Sequence, residues 1–177
     1  MRKTTITVLA AVALSGCSRR VDTPGASPAE STARAELTTA TGQSAGTVAL
    51  TETPHGVLIT AQLSNLPPGT HAIHVHETGR CDAPFTTAGG HFNPGGRVHG
   101  FRQERGPHAG DLPNFRAADN GSAQVEMLLT TVTLRSGSTS LFDDDGSSLV
   151  VHAGADDYVT DPAGNSGSRI ACGVIRR

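Results

Sequence analysis

Apolar and polar residues alternate in short runs through the middle of the chain, and Gly, Pro or Asn separates one run from the next. A period of two sends successive side chains to opposite faces of an extended backbone, so such runs predict half-buried strands. Ala45 to Glu52, Gly56 to Ser64 and His71 to Glu77 read as strands on this ground, with turns at Pro54-His55-Gly56 and Leu66-Pro67-Pro68-Gly69. Links that short favour antiparallel pairing. The pattern lapses from Thr78 to Asn120, where Gly, Pro, His and Arg dominate. A loop of that length inside a compact domain is more often functional than idle. Strand signals return at Ala123 to Leu129 and Ser148 to His152, lapse again in the polar, Gly-rich stretch from Gly154 to Ser168, and end with a strand from Ile170 to Ile175. No helix of ordinary length and no internal repeat is visible. The expected fold is therefore all-β, an antiparallel sandwich or barrel.

The first residues follow a different logic. Met1, Arg2 and Lys3 precede an apolar stretch from Ile6 to Leu14, and small residues follow before Cys17, the three-part layout of a secretory signal. The apolar run is about half the ~20 residues that span a bilayer. Leu14-Ser15-Gly16-Cys17 resembles a bacterial lipobox, in which the cysteine becomes the lipidated first residue of the mature protein. Residues 1–16 are thus expected to be a signal peptide and 17–34 a lipidated N-terminus and flexible tether of Ser, Thr, Ala, Pro and Gly. The remaining 35–177 make one domain with enough chain for a core. The expected location is the cell envelope, with the protein exported and lipid-anchored at the periplasmic or extracellular face of a bacterial membrane.

Charge adds an exclusion. Fourteen Lys and Arg stand against sixteen Asp and Glu, the basic residues are dispersed, and Trp is absent, so neither a phosphate-tracking stripe nor a base-stacking surface is expected. Of three cysteines, Cys17 is assigned to the lipid. Cys81 and Cys172 remain, and in an exported domain an isolated pair defaults to a disulfide.

Most of the eight histidines fall in or beside the long loop. On a strand, His74 and His76 share one face while Val75 takes the other. The loop adds His91, His99, His108 and Asp111; three imidazoles and a carboxylate are a natural tetrahedral set for Zn²⁺. His152 is then available to complete a four-imidazole set with His74, His76 and His91, a donor set that suits copper.

Together, His71-Ala72-Ile73-His74-Val75-His76-Glu77, Gly90-His91-Phe92-Asn93-Pro94, His108-Ala109-Gly110-Asp111-Leu112-Pro113 and Gly167-Ser168-Arg169-Ile170-Ala171-Cys172-Gly173-Val174-Ile175 resemble the copper/zinc superoxide dismutase family, from about Ala35 to the C-terminus. The resemblance implies a Greek-key β-sandwich or barrel of about eight strands with long metal-binding and electrostatic loops. It implies one copper ion per chain on His74, His76, His91 and His152. It also implies one zinc ion on His91, His99, His108 and Asp111, with His91 bridging the two. Asp156 matches the aspartate that joins a copper-ligand histidine to a zinc-ligand histidine, and its neighbour Asp157 reads as a solvated loop acid. Arg169 matches the anion-guiding arginine, and His91 the proton donor. His71 occupies a structural position, and His55 reads as a surface residue.

The implied reaction is disproportionation of superoxide to dioxygen and hydrogen peroxide through alternate reduction and oxidation of copper, protecting the cell envelope from extracellular superoxide. Asp156 to Arg169 carries no lysine, so attraction beyond Arg169 must come from elsewhere. The rival readings are a metal-buffering protein on the same fold without turnover, and a structural β-sandwich with incidental histidines. The resemblance also admits a homodimer, although no interface patch declares itself.

Overall fold

The computed structural model describes residues 31–177. The expected signal sequence, the lipidation site Cys17 and most of the tether lie outside the described residues. Among the described residues, nine strands follow one another: β1 Thr32–Thr39, β2 Ser44–Thr53, β3 Gly56–Leu63, β4 Gly69–His71, β5 Ile73–His76, β6 Phe115–Ala117, β7 Ala123–Leu129, β8 Ser148–His152 and β9 Arg169–Val174. Among the described residues, the only helical element is a single 3₁₀ turn at Thr86–Ala88.

Seven strands form one curled antiparallel sheet in the order β5-β8-β9-β1-β2-β3-β7, and β4 pairs with β6 in a second, small sheet. β3 pairs with β7, β5 with β8 and β1 with β9, so neighbours in the sheet are distant in sequence, the ordering a Greek key produces. β1 begins at Thr32, inside the stretch expected to be tether, and alternates exposed and buried positions from there. The strand expected over His71 to Glu77 divides at Ala72 into β4 and β5, and β6 sits within the long loop.

The buried face of β1, β2, β3 and β7 carries residues such as Leu37, Leu50, Ile59 and Val125, and these form the main core. β5 and β8 differ because they are buried on both faces. Ile73, Val75, Leu149 and Val151 point into the main core. The opposite face bears His74, His76, Val150 and His152, and the long loops cover it. Val150 packs there in a separate cluster with Phe85, Ala88 and Cys172.

Candidate metal centre

β5 ends the sheet, so its outer edge lacks a strand partner, and the long loop fills that edge. Val75 donates its N–H to Gly110 O at 2.9 Å and accepts from Phe92 N–H at 2.8 Å, while Glu77 N–H donates to Gly90 O at 3.0 Å. These bonds place His91 opposite His76 and Asp111 opposite His74 in isolated antiparallel bridges. The approach requires glycine at 110, where an added Cβ would stand 2.3 Å from Val75 O. Backbone pairing therefore brings His76 to His91 and His74 to Asp111, pairs far apart in the chain, before any side chain is considered.

The first donor set is His74, His76, His91 and His152, all buried, with one ring nitrogen from each lying within 4.8 Å of the others. His74 Nδ1, His76 Nε2, His91 Nε2 and His152 Nε2 are each buried without a hydrogen-bond partner. A buried polar atom left unpaired costs about 1–3 kcal/mol, so four of them converging on one space mark a site built for a positive centre. The opposite nitrogens of three rings are fixed. His74 Nε2 donates to Asp156 Oδ2 at 2.9 Å, His76 Nδ1 faces Gly89 O at 3.1 Å, and His152 Nδ1 faces Ser166 Oγ at 3.0 Å. Such outer bonds fix tautomer and ring orientation. This set fits copper, for which an imidazole-rich site is suited.

The second set, His91, His99, His108 and Asp111, is equally buried. The Nδ1 atoms of His91 and His108 stand 2.8 and 3.5 Å from Asp111 Oδ1, and that of His99 stands 3.0 Å from Asp111 Oδ2. A tetrahedron with ligands about 2.0–2.1 Å from zinc has edges near 3.3 Å, so the set fits zinc. His91 belongs to both sets: Nδ1 turns to Asp111 and Nε2 to the four-imidazole space.

Electrostatics separate rings that share a carboxylate. Burial, together with the neighbouring His91 and Arg169, lowers His76 to about 2, and burial with His74 nearby lowers His152 to about 3. His91 falls to about 4, because burial outweighs its bond to Asp111. Burial works against the charged form of His99 too, yet bonds to Asp111 and Asp156 overcome it and raise that ring to about 9. The difference is countable: His99 touches two carboxylates, at 3.0 Å each, whereas His91 touches one and faces His74. Burial disfavours the charge of Asp111, but bonds from His108, His91 and His99 hold it well below the ordinary carboxylate range.

Asp156 Oδ2 meets His74 and Asp156 Oδ1 meets His99, so one carboxylate spans the two sets. Arg169 donates to Phe85 O and Gly89 O at 2.7 Å each, and Gly89 O is the carbonyl that His76 also faces. The Cys81–Cys172 disulfide is formed and fastens the segment holding those carbonyls to β9. His71 lies between His152 O and Pro67 O, bonded to backbone, and His55 is exposed.

Asp157 is a loop acid whose carboxylate faces water. It also accepts bonds from Val159 N–H, Thr160 N–H, Thr160 O–H and Asn165 Nδ2, and so organises the loop. Bonds from Thr160 lower it to about 2. Two residues not singled out from sequence also serve the centre. Ser166 meets His152 Nδ1, and Asp161 Oδ1 accepts from His99 N–H at 2.7 Å. Both lie in a Gly-rich loop whose composition carries no period to flag them.

Residues 44–175 match the protein family described as copper/zinc superoxide dismutase. The chain is 48% identical over 145 residues to superoxide dismutase Cu-Zn 1 of Aquifex aeolicus, covering 80% of this chain and 86% of that protein. It is 47% identical over 139 residues to the Cu-Zn superoxide dismutase of Caulobacter vibrioides, covering 76% of this chain and 80% of that one. Among solved structures, a double mutant of a SOD-like protein from Bacillus subtilis superposes with a TM-score of 0.77 at 39% identity, covering 80% of this chain and 95% of that one.

Proposed function

The chain belongs to the copper/zinc superoxide dismutase family, and on that premise we propose that His74, His76, His91 and His152 hold copper while His91, His99, His108 and Asp111 hold zinc. The protein is an oxidoreductase whose substrate is superoxide and whose metals are copper and zinc. The observation that carries the residue assignment is the placement of one ring, His91, with Nδ1 in one donor set and Nε2 in the other.

Copper, when bound, supplies alternate one-electron reduction and oxidation, so that two superoxide ions and two protons give one dioxygen and one hydrogen peroxide; zinc supplies a fixed charge without redox change. The residues do the rest. Arg169 keeps a positive charge beside the carbonyl that His76 faces, which draws the anionic substrate toward the four-imidazole space. His91 Nε2 has no protein partner, and it is the atom placed to hold a proton and pass it to the reduced product while Asp111 keeps the ring oriented. Asp156 holds His74 by its far nitrogen.

The physiological setting is the cell envelope. The disulfide is of the kind an oxidising compartment maintains, which supports export. The sequence before Cys17 supports cleavage and lipidation there. Superoxide carries a charge that hydrocarbon excludes, so an enzyme tethered outside the cytoplasm protects the envelope from superoxide arising there.

Metal analysis of the purified protein is expected to give one copper and one zinc per chain, and stopped-flow decay of superoxide is expected to accelerate with the loaded protein. His152→Ala is expected to lose copper and nearly all activity while keeping zinc. Retention of full activity by that variant, or no acceleration by the loaded wild type, defeats the assignment. Replacement of Cys17 by Ser is expected to release the protein from the membrane fraction.

A further inference from the structure

Asp156 reaches both donor sets, so whatever fixes Asp156 bears on both. Its carboxylate is fully buried, and its backbone is gripped by one side chain from another part of the chain. Asn114 Oδ1 accepts from Asp156 N–H at 2.9 Å, and Asn114 Nδ2 donates to Asp156 O at 2.9 Å. An amide side chain satisfying both backbone groups of one residue fixes that residue as a strand partner would. The backbone N–H of Asn114 donates in turn to the phenolic oxygen of Tyr158 at 2.7 Å. Tyr158 N–H donates to Asp156 Oδ1 at 2.6 Å, which closes a three-residue circuit.

The circuit is anchored on the side that carries His99. Tyr158 O accepts from Arg102 N–H at 3.1 Å, and the Tyr158 ring lies 5.5 Å from that of Phe101. At Gly100, next to His99, an added Cβ would stand 2.2 Å from Tyr158 O, so the two loops are in close contact. Tyr158 itself adopts a φ of 64°, a left-handed conformation that a residue with a side chain rarely takes unless its surroundings hold it there. Neither Asn114 nor Tyr158 belongs to a donor set.

We infer that Asn114 and Tyr158 are positioning residues, a latch that holds the Asp156 carboxylate between His74 and His99 and so ties the orientation of a copper ligand to that of a zinc ligand. The inference rests on the metal assignment proposed above. Without Asn114, the Asp156 backbone loses two bonds, and Tyr158 N–H is left to place the carboxylate against the rings of His74 and His99 that it serves.

The test uses full-length protein loaded with copper and zinc. Asn114→Ala is expected to alter the Cu²⁺ electron paramagnetic resonance spectrum and to weaken zinc retention against a chelator by about tenfold, the lower end for partners that orient metal ligands. Asn114→Asp keeps an acceptor for Asp156 N–H and loses the donor to Asp156 O, and it is expected to fall between wild type and Asn114→Ala. Tyr158 is the single tyrosine and Trp is absent, so tyrosine emission reads the latch directly and is expected to shift in both Asn114 variants. Tyr158→Phe keeps the ring against Phe101, removes only the phenolic oxygen, and serves if the Asn114 variants do not fold; it is expected to change the copper spectrum in the same direction. A wild type loaded with both metals beside variants whose copper spectrum and zinc retention match it overturns the latch alone. A wild type that binds neither metal overturns the donor-set assignment and the latch with it.

Discussion

Arg169 commits two guanidinium N–H groups to the carbonyls of Phe85 and Gly89, and it touches none of the donor nitrogens. Its charge is therefore separable from metal retention. Arg169→Ala is expected to keep copper and zinc but to react with superoxide about tenfold more slowly, and to lose part of its dependence on ionic strength. Stopped-flow rates across a salt series check this, and an unchanged rate with an unchanged salt slope removes the guiding role. The expectations drawn from sequence hold best for residues whose placement follows from strand geometry. His74 and His76 share a face because a strand repeats every two residues, and both prove buried on the same side. The bonds that Asp157 makes were not legible, for the complementary reason. Its partners are backbone N–H groups two and three residues on, an arrangement set by loop conformation that composition does not reveal. Ser166 and Asp161 were missed on the same ground.

Among the elements, β2, β3 and β7 were legible because their buried positions carry Val, Leu and Ile against polar neighbours. β1 was not, since two of its three buried positions are Ala33 and Ala35, too small to stand out from a Ser-, Thr- and Ala-rich approach. β6 is three residues long and exists by pairing with β4, a contact no local pattern announces. The loop before β9 shows most directly how an element shapes the centre. Gly164 has a φ of 61°, and an added Cβ would fall 1.8 Å from Asp156 Oδ1 and 2.8 Å from His99 Nε2. Gly96 has nearly the same φ, 59°, with nothing within 4 Å of an added Cβ. Gly96→Ala therefore measures backbone strain alone, at about 1 kcal/mol, and Gly164→Ala adds the collision with the bridging carboxylate. Gly164→Ala is expected to lower the melting temperature further than Gly96→Ala and, unlike it, to release zinc more readily to a chelator. Equal zinc retention in the two variants would show that the loop yields without disturbing Asp156.

Across the whole molecule, the donor sets shape how the metal-free protein responds to pH. The rings of His76, His91 and His152 are lowered from 6.5 to about 2, 4 and 3, with burial the largest cause in each. An unfolded chain takes up these protons near pH 6.5 while the folded one refuses them, so folding loses stability as pH falls below about 6.5. His99 has the opposite sign. Burial opposes its charge, bonds to Asp111 and Asp156 prevail, and the ring is raised from 6.5 to about 9; its contribution is complete below about 6.5 and is lost as pH rises toward 9. Asp111 and Asp156 are held below the usual carboxylate range, so their contribution is present above about pH 4 and disappears in stronger acid, which deepens the acid-side loss. The metal-free protein is therefore expected to be most stable near pH 6.5, falling more steeply toward acid, where three rings act together, than toward alkali, where one does. Urea midpoints of chelator-stripped protein between about pH 4 and 10 measure this directly. Bound metal takes the place of the proton on the ring nitrogens it occupies, so loading with copper and zinc is expected to abolish the alkaline decline and to steepen the acid one, as protons compete the metals away. A stripped protein whose midpoint stays level from pH 5 to 9, or a loaded protein that keeps the alkaline decline, would show that these rings are not held as the structure places them.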